Sequence, residues 1–476
     1  NSINMSYLAS RKPIQKRKCM FKIKIITLSL LALLLVMSFA SCASDTTSDL
    51  PLPSKDMKTY LQVRVTVDGS GDTRASRAAT GPQGGEEGDG RETGTNHENE
   101  VNSLTVLLYQ SSKNDLSEDE ATIGYVYTFT ALTASTPSSG GNVTYSTGPR
   151  EIDPVIVGKD YHVLVIANAG DMTSRCIGKK ISKIRDMQMD KVCTRNDDIA
   201  NFTDFVMSSK KDAKIDFSGK SGSGTGTESD PYVVDVNIER LAARIDIIPN
   251  AAFDGTSQGY YYNVMDGTNV VGGFKLESVT PTKVMTKGEY LIKRVSSDAA
   301  VSTVTYYGEE EMNPTTKAST NYVVCPWTNI HTSTTLSNAE GPTSLYNVKM
   351  TTSTSTTVGE ASYILDYVME NTTTDNAEDY STGLIFKGKY YEPSEWDKTT
   401  MRPTATATGT DKEYTYTLRH SDPSGSGTTA DPMHFGVVRN NIYQVKVEGV
   451  EGKSKGLKLT IHVVPWAHYD HGEVIY

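Results

Sequence analysis

The residues YLQVRVTVD, 60–68, alternate apolar and polar without a break. Leu61, Val63, Val65 and Val67 fall on one face, Gln62, Arg64, Thr66 and Asp68 on the other. Successive side chains of an extended chain point to opposite faces, so this stretch predicts a strand with one buried face. Further strand-like runs recur along the chain at 101–111, 160–170, 202–209, 232–250, 320–327, 361–371, 382–391, 441–450 and 455–466. Thr, Val and Tyr recur where strands need them, and tyrosines outnumber phenylalanines 26 to 10. The one convincing helical run outside the N-terminal region is KKISKIRDMQM, 179–189. An all-β protein with minor decoration is expected, and 476 residues suffice for two or three domains.

Met20 opens a pattern of export: basic Lys22 and Lys24, an apolar run over 25–40, then small residues before Cys42. The run falls short of the ~18 apolar residues usual for a spanning helix. The ending FASC, 39–42, looks like a bacterial lipobox with Phe39 in place of the usual Leu; it predicts acylation of Cys42, with plain secretion as the alternative. The residues before Met20 are expected to lie upstream of the true start.

Seven of the 47 Lys and Arg precede Cys42, leaving 40 against 57 acidic residues and a net charge of −17 on the mature chain. So acidic a molecule is a poor partner for nucleic acid or anionic membrane surfaces. After Cys42 only Cys176, Cys193 and Cys325 remain, an odd number at no zinc spacing. They read as buried free thiols, with a Cys176–Cys193 bridge as the alternative. The pair His468 and His471 lies on an irregular tail, and Arg419, His420, Ser421 and Asp422 are consecutive rather than convergent. No catalytic residue, metal site or cofactor is expected. Trp466, after Pro465, is read either as a core aromatic or as an anchor between subunits.

After the first strand comes DGSGDTRASRAATGPQGGEEGDGRETG, 68–94, with no apolar residue large enough to anchor a core. It holds two Arg-Ala pairs, at Arg74 and Arg77, and no lysine competes with them up to residue 112. A protease needs an extended, unpaired substrate, and this stretch qualifies. Arg91 is followed by acidic Glu92 and is less suited. The Gly/Ser segment 218–231 is the expected domain boundary, with a long hairpin loop as its alternative.

Several segments together resemble the fimbrillin family, the subunits of type V pili in Bacteroidales. They are VNSLTVLLY, YHVLVIANAG and FVMSS in the first block, IERLAARIDI at 238–247, YVMENT at 367–372 and GLIFKGKYY at 383–391. MHFGVVRNNIYQVKV at 433–447 and IHVVPW at 461–466 complete them. The resemblance covers nearly the whole mature chain and lies nearest the stalk-forming branch. It implies two transthyretin-like β-sandwich domains in tandem: a signal region at 1–41, a propeptide at 42–77, an N-terminal domain at 78–230 and a larger C-terminal domain at 231–476.

It also implies export as a lipoprotein to the outer membrane, cleavage at Arg74 or Arg77 by an arginine-specific protease, and assembly into surface fimbriae. Partners on this reading are further copies of the chain, accessory fimbrial subunits, and receptors on host or bacterial surfaces. Loss of the first strand would expose four aliphatic side chains' worth of surface, roughly 6–12 kcal/mol gross, and a row of unpaired backbone groups. GLKLTIHVV, 456–464, matches it in alternation, with Leu457, Leu459, Ile461 and Val463 on one face. The alternatives are an accessory tip or anchor subunit, which would keep its lipid, and a monomeric glycan-binding surface lipoprotein, which would need exposed aromatic platforms.

Overall fold

The computed structural model describes residues 58–467 except 68–91, 94, 112–119, 136–142, 154, 155, 157, 197, 210, 211, 219–223, 252–258, 292, 293, 296–303, 306–347, 350–361, 373–380, 421–434 and 453–455. Cys42, Arg74, Arg77, Arg91, Cys325, His468, His471 and the expected strand at 320–327 lie outside the described residues. Among the described residues the regular structure is nearly all strand, gathered chiefly into two ten-stranded sheets.

The first sheet contains β1 (Thr59–Val67), β2 (Leu104–Tyr109), β3 (Ile123–Phe129), β4 (Leu132–Ala134) and β5 (Thr144–Thr147). To these it adds β6 (Arg150–Ile152), β7 (Asp160–Ala167), β8 (Met207–Ser209), β9 (Ala213–Asp216) and β10 (Tyr232–Arg240). Their order is β3-β2-β7-β8-β10-β1-β5-β4, with β9 also on β7 and β6 also on β1. Every residue of β2, and every residue of β7 after Asp160, is buried. Continuous apolar runs are what strands covered on both faces require. After β7 the chain turns at Asn168, whose φ of 57° is left-handed, a conformation asparagine tolerates. Its Oδ1 accepts from the N–H groups of Asn102 (2.8 Å) and Ser103 (3.3 Å), and its Nδ2 donates to the carbonyls of Glu100 (2.8 Å) and Phe205 (2.9 Å).

The helical run at 179–189 yields only a short helix, Ile181–Arg185. Burial of Ile181 and Ile184 holds that turn, and then Gln188–Met189 leaves it to pair with Gly288–Glu289. Cross-strand pairing here outweighs local helical pattern.

The Gly/Ser segment does not separate the sheets. Gly226, with φ of 83°, donates to the Asp230 carbonyl (2.9 Å) and accepts from the Tyr60 N–H (2.9 Å). A Cβ at this glycine would lie 2.5 Å from Tyr232 Cε2, so only glycine fits. The chain then re-enters the first sheet as β10, alongside β1. The change of sheet falls at Leu241, beyond the boundary that composition suggested.

The second sheet holds β11 (Ala242–Ile248), β12 (Tyr260–Asp266), β13 (Asn269–Thr282), β14 (Val348–Lys349) and β15 (Tyr363–Met369). It continues with β16 (Gly383–Tyr391), β17 (Thr410–Thr417), β18 (Asn441–Glu451) and β19 (Gly456–Ala467). One early segment, Glu92–Thr93, joins it at the end of β19. β11 runs parallel to β18 and antiparallel to β15. Each sheet has its own core, and the first core also takes in Tyr290, Tyr367, Met369 and Ile442 from beyond the crossing. Cys176 and Cys193 are free thiols in these cores, and burial raises their pKa values to about 11 and about 12. The bridge considered for them does not form.

Candidate functional site: the slot of the first strand

β1 is an interior strand. On one side it runs parallel to β10, from Leu61 opposite Tyr232 to Val67 opposite Ile238. On the other it is antiparallel to β5, with Val65 opposite Tyr145, and to β6, with Leu61 opposite Arg150. Leu61, Val63, Val65 and Val67 are each 0 % exposed, so the alternation read from the sequence corresponds to a fully dry face.

The other face carries the polar contacts. Gln62 Nε2 donates to the Thr147 carbonyl (2.9 Å), and the Val63 N–H donates to Thr147 Oγ1 (2.9 Å). Arg64 makes a two-pronged pair with Asp235 on β10, through Nε at 2.6 Å and Nη2 at 2.7 Å. That hydrogen bond raises the Arg64 pKa, but the pair is solvated and contributes little stability. Thr66 and Thr144 hydroxyls meet at 3.1 Å. The slot is therefore apolar inside, polar at its rim, and walled by β10 on one side and β5 with β6 on the other.

One turn downstream of the arginine-bearing stretch lies at the Val67 end of this slot. Its one-turn helix α1 (Asn96–Asn99) is closed by a capping box, in which Thr95 Oγ1 accepts from the Glu98 N–H and the Glu98 carboxylate accepts from the Thr95 N–H. Glu98 is 1 % exposed and receives Arg244 Nη1 at 3.2 and 3.3 Å as well as the Tyr367 hydroxyl. Arg244 is paired again with Asp246, at 2.7 Å from Nη2. Burial pulls the Arg244 pKa down, but Asp246 and Glu98 outweigh it, and the guanidinium is held above its ordinary value. Arg240, the last residue of β10, donates from Nε to the Glu98 carbonyl (3.0 Å), from Nη1 to Asn440 Oδ1 (3.2 Å) and from Nη2 to Asn99 Oδ1. Its complete burial lowers its pKa to about 10. From the opposite wall, the Tyr145 hydroxyl donates to the Asn99 carbonyl (3.0 Å).

This cluster was not anticipated, although two signals carry it. Thr95 and Glu98 stand at capping-box spacing, and Arg240 and Arg244 stand with Glu239 and Asp246 among the apolar residues of IERLAARIDI. Arginines on a buried strand face need carboxylate or carbonyl partners.

The second predicted strand, β19, occupies a different setting. It forms a hairpin with β18, from Glu451 opposite Gly456 to Asn441 opposite Pro465. Among the described residues, its other side pairs only with Glu92–Thr93, opposite Trp466 and Ala467. Ile461 is 7 % exposed within the second core, and Leu457 and Leu459 are half-buried. The side chains of Val463 and Trp466 lie outside the described residues.

Among the described residues no cluster of His, Cys, Asp and Glu is placed to hold a metal, and no helix is long and apolar enough to cross a membrane. Nor does any described aromatic side chain stand exposed. The aromatics Tyr261, Tyr391 and Trp396 pack into a small buried core of their own, with the Trp396 indole N–H donating to Asn263 Oδ1 (2.7 Å).

The fold and slot define an all-β protein with one interior strand joined to the rest through a long apolar-poor connection. Residues 60–240 match the sequence model of the family described as major fimbrial subunit protein (FimA). No curated protein sequence matches the chain. Among solved structures, a candidate cell adhesion protein from Parabacteroides distasonis is similar at 16% identity and a TM-score of 0.42, over 86% of this chain and 100% of that one. A fimbrilin from Porphyromonas gingivalis gives 16% identity and 0.40, over 86% and 98%. The tip fimbrial protein Mfa3 from the same organism gives 13% and 0.36, over 86% and 100%.

Proposed function

We propose that this fimbrial structural protein is a stalk pilin, made as an exported lipoprotein precursor and polymerised by strand exchange at the β1 slot. Cys42 carries the lipid and holds the precursor at the outer membrane. Cleavage after Arg74 or Arg77 by an arginine-specific protease severs β1 from the rest of the chain. The vacated slot of one subunit then accepts a strand from the next, and Leu457, Leu459, Ile461 and Val463 of β19 are the side chains proposed to fill it. The lipid is transient, and the finished filament stands on the cell surface with accessory subunits, where it meets host or bacterial receptors. The role is structural rather than catalytic.

The observation that supports this most is the position of β1. It is hydrogen-bonded on both sides and dry on one face, yet its only covalent link onward is residues 68–91. An empty slot exposes four aliphatic positions and two rows of backbone groups, so it captures any strand of matching alternation.

The test is mass spectrometry of the protein purified from the cell surface, beside a variant carrying Arg74→Ala and Arg77→Ala. A mature N-terminus at Ala75 or Ala78, and a double variant that is exported but remains monomeric, are the expected results. Normal filament yield from the uncut double variant removes the reading.

A further inference from the structure

We infer that the α1 turn is a spacer that keeps the β1 slot open once β1 has gone. This rests on the strand-exchange reading above and concerns how the slot survives between losing one strand and gaining another. An interior strand removed from a sheet leaves its two neighbours about two strand spacings apart, roughly 9.5 Å. Nothing in the sheet's own hydrogen bonding opposes their closing on each other, and closure would bury the exposed apolar surface and destroy the site.

The α1 turn touches both walls. Arg240 ends β10, and by strand parity its side chain lies on the same face as Val234, Val236 and Ile238, the sheet face that also carries Val63, Val65 and Val67 of β1. Tyr145, opposite Val65 on β5, lies on that face from the other wall. Arg240 bonds to the Glu98 carbonyl and Asn99 Oδ1, while the Tyr145 hydroxyl bonds to the Asn99 carbonyl. One residue, Asn99, thus links the two strands that flank β1, with no part of β1 in the linkage. The turn is itself fixed from outside the first sheet, through the Glu98 carboxylate to Arg244 and Tyr367. It follows the cleavage sites in sequence, so it stays with the mature chain when β1 leaves.

With β1 present the sheet holds its own walls at the proper distance, and the spacer carries no load. Without β1 the linkage through Asn99 holds them. Tyr145→Phe cuts the β5 side, Asn99→Ala weakens the β10 side by removing one of the two bonds from Arg240 to the turn, and both leave the Glu98 carboxylate in place. Asn99→Asp keeps an acceptor for Arg240.

The experiment uses the immobilised, uncut precursor, which still contains β1, with a specific protease site inserted in residues 68–91. After cutting, β1 is washed out in mild urea, and a labelled synthetic peptide of residues 59–67 is added on return to buffer. Wild type should capture the peptide, Tyr145→Phe and Asn99→Ala should capture it about tenfold more slowly, and Asn99→Asp should recover most of the rate. The uncut variants should melt within a few degrees of wild type. Equal capture by all four chains overturns the spacer, as does a loss of melting temperature in the uncut variants large enough to account for slow capture. Failure of the emptied wild-type chain to capture any peptide also overturns it, because no slot then persists. Normal capture by wild type with no filament formation leaves the spacer standing and rejects the polymerisation reading instead.

Discussion

β1 and β19 carry nearly the same message in sequence, four aliphatic residues at every second position, and the fold treats them oppositely. β1 lies inside its sheet, with β10 on one side and β5 and β6 on the other. Among the described residues β19 lies near an edge, paired along its length with β18 alone and meeting Glu92–Thr93 only at its end. Burial follows: all four aliphatics of β1 are inaccessible, whereas Leu457 and Leu459 are only half-buried. Withdrawing β1 breaks two ladders, and withdrawing β19 breaks little more than one. A strand-exchange subunit needs that asymmetry, because the slot must be costly to leave empty and the donor must be cheap to release.

The largest expected effect tests this asymmetry directly. Val65→Asp places a carboxylate in a dry, doubly flanked site and should cost about 4 kcal/mol or more. Ile461→Asp, at the rim of the second core, should cost about half as much, since its carboxylate can reach water. Urea unfolding of the uncut chain measures both. Equal losses would mean that β19 is held as firmly as β1, and the donor would have to be sought elsewhere.

Next in size is removal of residues 456–476. The chain should lose assembly and the β18 side of the second core, while the amides of β2 and β7 keep their protection from hydrogen exchange. Loss of protection there would show that the two sheets fold as one cooperative body and that β19 supports both.

Acid should separate the regions as well. His420 is half-buried with its Nδ1 2.8 Å from the Tyr443 hydroxyl on β18, and desolvation lowers its pKa from 6.5 to about 4. Below pH 6.5 the unfolded chain binds a proton that the folded one refuses. Stability from this group is therefore complete above pH 6.5 and is lost as pH falls toward 4, by roughly 3 kcal/mol. Denaturation of wild type and His420→Gln at pH 7 and pH 4.5 should show the larger acid loss in wild type, borne by the second sheet. A parallel decline in the two chains would refute it.

The smallest effect is expected at the rim of the slot. Arg64→Gln removes the solvated pair with Asp235 and should cost less than about 1 kcal/mol, and less still in high salt. A larger loss would mean that β1 is held by its polar rim as much as by its dry face.

Much of this was legible in the residues themselves. The period-two runs gave most of the described strands, because a one-residue slip would turn the whole apolar face to water. The buried face of β1 was readable for the same reason. The cap at Thr95 rests on short-range bonds of residue types that signal it, whereas the side chain of Asn168 bonds to partners far away in sequence. Local pattern failed where a distant partner competed. The expected helix at 179–189 gave way after Arg185 when Gln188–Met189 paired with Gly288–Glu289, and Gly226 within the Gly/Ser segment proved to hold Tyr60.

The sequence by itself determined that this chain is all-β, that its first strand has one dry face, and that an arginine-bearing stretch without core residues follows it. Tertiary structure alone decided that β1 is interior while β19 is near an edge, that β10 belongs to the first sheet, and that Asn99 joins both walls of the slot. The physical reason is range. Alternation, capping and turn chemistry act between residues a few positions apart and can be read along the chain. Whether a strand has one neighbour or two, and which buried arginine finds which carbonyl, depends on groups more than a hundred residues distant, such as Arg240 and Glu98, whose meeting no local pattern records.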